Sequence, residues 1–362
     1  MISVLAALLH DVGHGPFSHA FEEAQKAIAI AREGGKGALR KHEFFSAEIV
    51  QSGKSEIPSI LSSAGVNAKD VAELIKSDVP TDMYHAVVSS SFDADRLDYL
   101  QRDRYMTGVG TGAIDLPWLL DNVRVAEIDF AVPGDFCLSH KAREAGEDFL
   151  LARYRLYANV YFHKTTRGFE QLISAFFRMI AESADGGLPL KGLNVDNRLH
   201  QFFSKDGESI ENYLALDDAV VWNSIHDIAS SGEGLARQVA SMLLQRKRMS
   251  CLDVQNCLPQ DAELQRRLKH QMDLQFKGEM NSTVFRDTAR LSIYGQIGGD
   301  DSRAQKRLMI QLPTSKLKEI TGFDDSIITQ SSTERLFERY YFLHESGYKI
   351  ALDTAEKIEK RQ

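Results

Sequence analysis

His10-Asp11-Val12-Gly13-His14-Gly15-Pro16-Phe17-Ser18-His19 is the stretch on which the reading of this chain turns. Three histidines and one carboxylate fall within ten residues, with His10 and Asp11 adjacent and His14 four positions beyond His10. Residues 2–9 are almost all apolar, which predicts a buried helix over residues 1–14, ended by Gly15-Pro16. A helix that carries imidazole and carboxylate out of an apolar interior to such a break can present metal ligands at a cleft.

The rest of the composition narrows the classes. A hydrophobic content of 43% and a charged content of 26% are those of a globular chain with a substantial core, in one large domain or two. The net charge of −8 gives no general attraction to nucleic acid, although an acidic protein can hold a local basic pocket for phosphates. Cys137, Cys251 and Cys257 have no metal or disulfide spacing, so free thiols in a reducing, cytoplasmic setting are expected. No apolar run approaches the ~18–20 residues of a membrane span, and no basic segment precedes the first apolar stretch, so neither a membrane anchor nor a signal peptide is expected.

Helical patterning dominates the first three quarters. Helices are predicted over 18–31, from His42 to Val50, and over Ala68–Lys76 behind an Asn67 cap; another follows Pro80 toward residue 95. A glycine-rich loop is expected between Arg32 and Arg40. The longest helical stretch covers 144–182, and Asp217 is placed to cap a helix through Ile228. From about residue 276 the content becomes more β-like, at Thr283–Phe285, Leu291–Tyr294, Arg307–Leu312 and Ile327–Ile328, with a closing helix at 333–345. The expected fold is mainly α, with a helical domain over 1–275 and a small α/β region over 276–362.

A second cluster, Asp93-Ala94-Asp95-Arg96-Leu97-Asp98-Tyr99-Leu100-Gln101-Arg102-Asp103, places Asp95, Tyr99, Arg102 and Asp103 on one helix face. By itself this could be a solvated, ion-paired face. The two clusters together are more specific. The His-Asp pair, followed some 84 positions later by a helix-borne Asp, resembles the HD phosphohydrolase superfamily. "HDVGHGPFSHAFE" and "DADRLDYLQRD" are similar to the deoxynucleoside triphosphate triphosphohydrolases within it. Lys41-His42-Glu43, Tyr161-Phe162-His163-Lys164 and Tyr213-Leu214-Ala215-Leu216-Asp217-Asp218 resemble further elements of that family.

The resemblance implies that His10, Asp11 and Asp95 hold a divalent metal, with Mn, Fe, Mg and Zn all compatible with the mixed donors. It implies that the metal polarises a phosphoryl oxygen and activates water. His14, His19, His42 and Asp103 are then catalytic, while Arg96, Tyr99, His163 and Lys164 bind substrate. A dNTP substrate, a nucleotide activator and a homo-oligomer are the implied partners. In the family a further metal histidine lies in an upstream Arg-x-x-His segment; the nine residues before His10 contain neither Arg nor His. The helical domain is therefore expected to be N-terminally incomplete, either because the natural protein starts further upstream, the favoured reading, or because this is a truncated member of the family. Two other readings stay open: an HD phosphohydrolase acting on nucleoside monophosphates or other phosphoesters, and a catalytically dead nucleotide-binding regulatory chain.

Overall fold

The computed structural model describes residues 1–32, 41–77, 82–127, 134–259, 261–293, 295–296, 307–330 and 334–360. The chain is mainly α-helical, with a few strands in small sheets, as the patterning predicts. Most of the expected glycine-rich loop lies outside the described residues. Among the described residues, no helix is long and apolar enough to cross a membrane. The chain path divides into two compact units, the first made of Met1–His10, Ser59–His163 and Thr288–Phe337, the second of Asp11–Pro58, Lys164–Asp287 and Glu338–Gln362.

In the first unit, helix Ile2–Leu9 packs on helix Ala68–Lys76, which starts where Asn67 accepts the Lys69 N–H at 3.0 Å. The first helix is shorter than its apolar pattern predicts. It ends at Leu9, and the residues up to His14 form a turn in which the His14 N–H bonds back to the Asp11 carbonyl. The helix expected after Pro80 is also interrupted. A single turn, Met83–Ala86, is followed by a serine-rich bend, and helix Ala94–Thr107 starts afresh where Asp93 caps the Arg96 N–H at 2.8 Å. Serine and aspartate side chains offer the backbone such alternatives to a continuous helix.

A four-stranded sheet joins Val123–Ala126, Asp135–Ser139, Met309–Gln311 and Leu317–Glu319, in that order. Its first pair is antiparallel (Arg124 opposite Cys137) and its second parallel (Leu138 opposite Ile310). Helix Arg143–Leu156 lies on this layer through Gly146, where a Cβ would come within 2.9 Å of Leu138 Cδ1. Leu100, Leu138, Phe149, Leu150 and Ile310 fill the core. The long helical stretch predicted over 144–182 breaks after Leu156 into a π-turn, Tyr157–Tyr161, in which the Phe162 N–H reaches the Tyr157 carbonyl at 2.8 Å. Ile327–Ile328, expected to be strand-like, opens the short helix Ile327–Gln330.

Asp135 is 3% exposed, and burial raises its carboxyl to about 6, partly offset by the hydrogen bond from the Phe136 N–H. The folded state therefore holds its proton to higher pH than the unfolded chain does. This stability is full below about pH 4 and is lost as pH rises to about 6, by up to ~3 kcal/mol. Asp135→Asn keeps the acceptor and should raise stability at pH 8 while leaving it unchanged at pH 4. Urea midpoints at the two pH values check this.

The second unit is built on helices His19–Arg32, His42–Gln51, Lys164–Asp185, Arg198–Phe203, Asp218–Ser231 and Gly234–Leu244. Phe21, Phe45, Phe177, Phe202, Phe203 and Tyr213 meet between them, with the Phe45 and Tyr213 rings stacked at 4.1 Å. Asp217 caps its helix as predicted, accepting from the Val220 N–H at 2.7 Å; the helix runs on to Ser231. Further along, strand Ser250–Asp253 pairs antiparallel with the end of strand Arg335–Phe342, Cys251 facing Tyr341. Helices Ala262–Gln275 and Glu345–Glu359 close a second apolar cluster with these strands. The closing helix expected at 333–345 is thus a strand, and the helix starts only at Glu345. Phe337 to Phe342 are all buried, so the run carries no alternation by which a strand could be told from a helix.

Candidate metal and phosphohydrolase site

The functional side chains are described unit by unit. In the first unit His10 ends helix Ile2–Leu9, and its Nδ1 lies 2.8 Å from the Ala7 carbonyl. Only an Nδ1–H can make that bond, so in the neutral ring the Nε2 keeps its lone pair. Nε2 stands 3.8 Å from Asp95 Oδ1. Asp95 sits in the first turn of helix Ala94–Thr107, where the exposed N–H groups favour a carboxylate. An imidazole with its lone pair presented beside a half-buried carboxylate fits a divalent cation.

Further along that helix, Tyr99 is largely buried, and burial pushes its phenol upward. Its ring stands edge-on to Tyr161 at 6.3 Å, and the Tyr161 hydroxyl donates to Asp103 Oδ2 at 2.5 Å. Burial and Asp103 both keep Tyr161 protonated. Arg96 is tied into the helix start, where its guanidinium pairs with Asp93 and donates to the Ser90 carbonyl. Arg102, expected on the same face as Asp95 and Tyr99, is exposed and bonds Asp98 and Asp103. His163 is exposed just after the π-turn.

In the second unit His14, His19 and His42 gather round Glu22, with Asp11 beside His14 and His42. His42 Nδ1 lies 2.7 Å from Glu22 Oε1, and the His42 backbone N–H reaches the same oxygen at 3.2 Å. His19 Nδ1 lies 3.3 Å from Glu22 Oε2. The His14 and His42 rings stack at 3.8 Å, and both present Nε2 to Asp11 Oδ1, at 3.6 and 3.8 Å. Among the described residues, His14 Nδ1 is buried without a hydrogen-bond partner. Two overlapping sets, Asp11 with His14 and His42, and His14 with His19 and Glu22, are close enough to hold an ion.

The protonation states divide. Burial, and then the neighbouring His42, push His14 down to about 4, so it is neutral near pH 7. The bond to Glu22 raises His19. Burial would lower His42, but Glu22, Glu43 and Asp11 outweigh it and raise it. Burial would raise Glu22, but its bonds to His19 and His42 hold it well below the ordinary carboxylate range. One neutral imidazole thus stands beside two that favour the charged form, an arrangement suited to moving protons. Glu22 is a member of this cluster that the motif reading did not single out. The available signal was its place three residues after His19 on one helix.

The turn between His14 and His19 is unusual in its backbone. Phe17 and Ser18 both have positive φ, +60° and +49°. Each non-glycine residue held there costs roughly 1–3 kcal/mol, and such residues concentrate at functional sites. Gly13 is required at the head of the turn, because a Cβ there would collide with the Ser46 backbone. Elsewhere in this unit Lys164 and Arg248 line a cavity of about 510 Å³ with Phe169, Cys251 and Tyr348.

Residues 2–103 match the HD domain family. Over that stretch the chain is similar to the HD-domain superfamily. It is 32% identical over 222 residues to the uncharacterized protein YwfO of Bacillus subtilis, covering 61% of this chain and 46% of that protein. It is 29% identical over 185 residues to the deoxynucleoside triphosphate triphosphohydrolase SAMHD1 homolog of Dictyostelium discoideum (48% and 32% coverage). To the corresponding Gallus gallus protein it is 26% identical over 249 residues (61% and 38%). The chain spans less than half the length of these curated relatives. In fold it is similar to a crystal structure of a phosphohydrolase from Bacteroides thetaiotaomicron, with a TM-score of 0.70 at 22% identity, covering 94% of this chain and 79% of that one. The stretch that matches the HD domain carries His and Asp groups that could hold a metal.

Proposed function

We propose that this HD-domain protein is a metal-dependent dNTP triphosphohydrolase, converting a dNTP and water to the deoxynucleoside and inorganic triphosphate. The observation that carries the reading is the Glu22-centred cluster of His14, His19 and His42, in which His14 and His42 both face Asp11. The similarity to proteins named deoxynucleoside triphosphate triphosphohydrolases supports the substrate class.

In this reading His10, Asp11 and Asp95 hold a divalent cation, with Mn, Fe, Mg and Zn all compatible with the donors. When bound, it supplies a Lewis acid for the α-phosphate and an activated water. The water oxygen forms the new bond to the α-phosphorus, and the bond to the sugar 5′-oxygen breaks. His19, kept protonated by Glu22, gives a proton to the departing 5′-oxygen. His14, held neutral, accepts a hydrogen bond or proton, and His42 balances charge at the phosphates. Asp103 and the Tyr161 hydroxyl form a polar pair suited to a sugar hydroxyl, beside the Tyr99 ring. Arg96, His163 and Lys164 are assigned to phosphate contacts, and a homo-oligomer with a nucleotide activator completes the reading.

Incubating the purified protein with Mn²⁺ and each dNTP, alone or with GTP or a second dNTP as activator, tests the proposal. Deoxynucleoside and triphosphate should appear in equal amounts. If neither forms with any dNTP the reading fails, and orthophosphate release from monophosphates would replace it with a monoesterase.

A further inference from the structure

Two consecutive left-handed residues, Phe17 and Ser18, lead directly into His19. A chain rests in such a conformation only where its surroundings over-determine it. Within the second unit three hydrogen bonds do this, each from a partner outside the turn. The Gly13 N–H donates to Ser46 Oγ at 2.9 Å. The Gly13 carbonyl accepts from the buried Tyr213 hydroxyl at 2.6 Å. The Phe17 N–H donates to Asp218 Oδ1 at 3.0 Å, while the Phe17 ring stands edge-on to Trp222 at 5.6 Å.

Tyr213, Asp218 and Trp222 come from one short stretch some 200 positions away in sequence. Its two adjacent aspartates have separate tasks. Asp217 caps the helix through the Val220 N–H, whereas Asp218, already inside the helix, turns its carboxylate to the Phe17 N–H. Helix capping does not account for Asp218. Because His19 follows Ser18 and opens its own helix, the dihedral angles of the turn set where its imidazole meets Glu22 and stands against His14, 5.2 Å away.

We infer that Tyr213 and Asp218 are positioning residues, which hold the left-handed Phe17–Ser18 turn and thereby aim His19. This rests on the proposed catalytic role of the histidine cluster. The test compares Asp218→Ala with Asp218→Asn, whose amide oxygen can still accept the Phe17 N–H. Asp218 is exposed, so neither change disturbs the core. Asp218→Ala should lower kcat about tenfold or more, with KM within about twofold and bound metal and unfolding temperature unchanged, because a misplaced catalytic group costs turnover rather than binding. Asp218→Asn should recover to within about threefold of wild type. Equal rates in Asp218→Ala and wild type, or equal losses in both variants, overturn the inference. A second readout needs no activity: the His19 imidazole resonances in ¹H–¹⁵N spectra should shift in Asp218→Ala and return in Asp218→Asn. If wild type hydrolyses no nucleotide, the reaction proposed above fails, and the spectra alone decide the positioning role; unshifted resonances overturn it.

Discussion

Replacing Asp95 by Ala should lower turnover by at least ~10³-fold, about 4 kcal/mol of transition-state stabilisation, and should strip the protein of bound metal. Asp95 is the carboxylate that His10 Nε2 meets at 3.8 Å, on a ring whose other nitrogen is committed to the Ala7 carbonyl. Without it His10 and Asp11 remain but one of the two anionic donors of the proposed set is gone, and no other carboxylate on the same helix takes its place. Asp98 is exposed and bonds Arg102. Asp98→Ala serves as the control and should leave kcat within about twofold, since an exposed ion pair contributes little. Elemental analysis for metal per chain, with kcat measured alongside, checks the prediction. Unchanged metal content with kcat within tenfold of wild type would remove Asp95 from the ligand set.

Glu22→Gln should lower kcat by ~10²–10⁴-fold, the range for disabling general acid–base groups, while leaving bound metal in place. The substitution preserves size, so the effect isolates charge and hydrogen bonding. The Glu22 carboxylate serves His42 through one oxygen and His19 through the other. A glutamine keeps one acceptor oxygen and turns an NH₂ donor toward the second ring, so at most one imidazole retains its bond. The charge that raises both His19 and His42 is lost with it. Both then hold a proton less readily near neutral pH, and the leaving oxygen loses its donor. Steady-state kinetics with metal content as the internal control tests this; a kcat within threefold of wild type would remove Glu22 from the reaction.

Much of the site is legible in the sequence because its parts are local. His10, Asp11, His14 and His19 lie within ten residues, and the Asp95–Asp103 segment is one helix. Helix starts at Asn67 and Asp217 follow from side chains that bond N–H groups two or three residues on, so no distant partner is needed to read them. Other parts depend on groups far apart along the chain. Tyr161 meets Asp103 across 58 positions, and it gets there through a π-turn with no marker in the pattern. Arg102 shares the helical spacing of Asp95 and Tyr99 but is exposed, because spacing gives a face and not what covers it.

What the sequence by itself determined is the set of candidate groups: an adjacent His-Asp pair, further histidines just beyond it, and a helix-borne carboxylate, in a stretch that matches the HD domain. What only the tertiary structure decided is how those groups are held and charged. Glu22 became the centre of the histidine cluster only when His42, twenty positions away, packed against it, and burial set His14 apart from its neighbours as the neutral ring. The strand at Arg335–Phe342 likewise emerged only with its pairing partners. The reason is the same in each case: desolvation, charge coupling and strand pairing are properties of neighbours in space, and a local pattern carries no record of them.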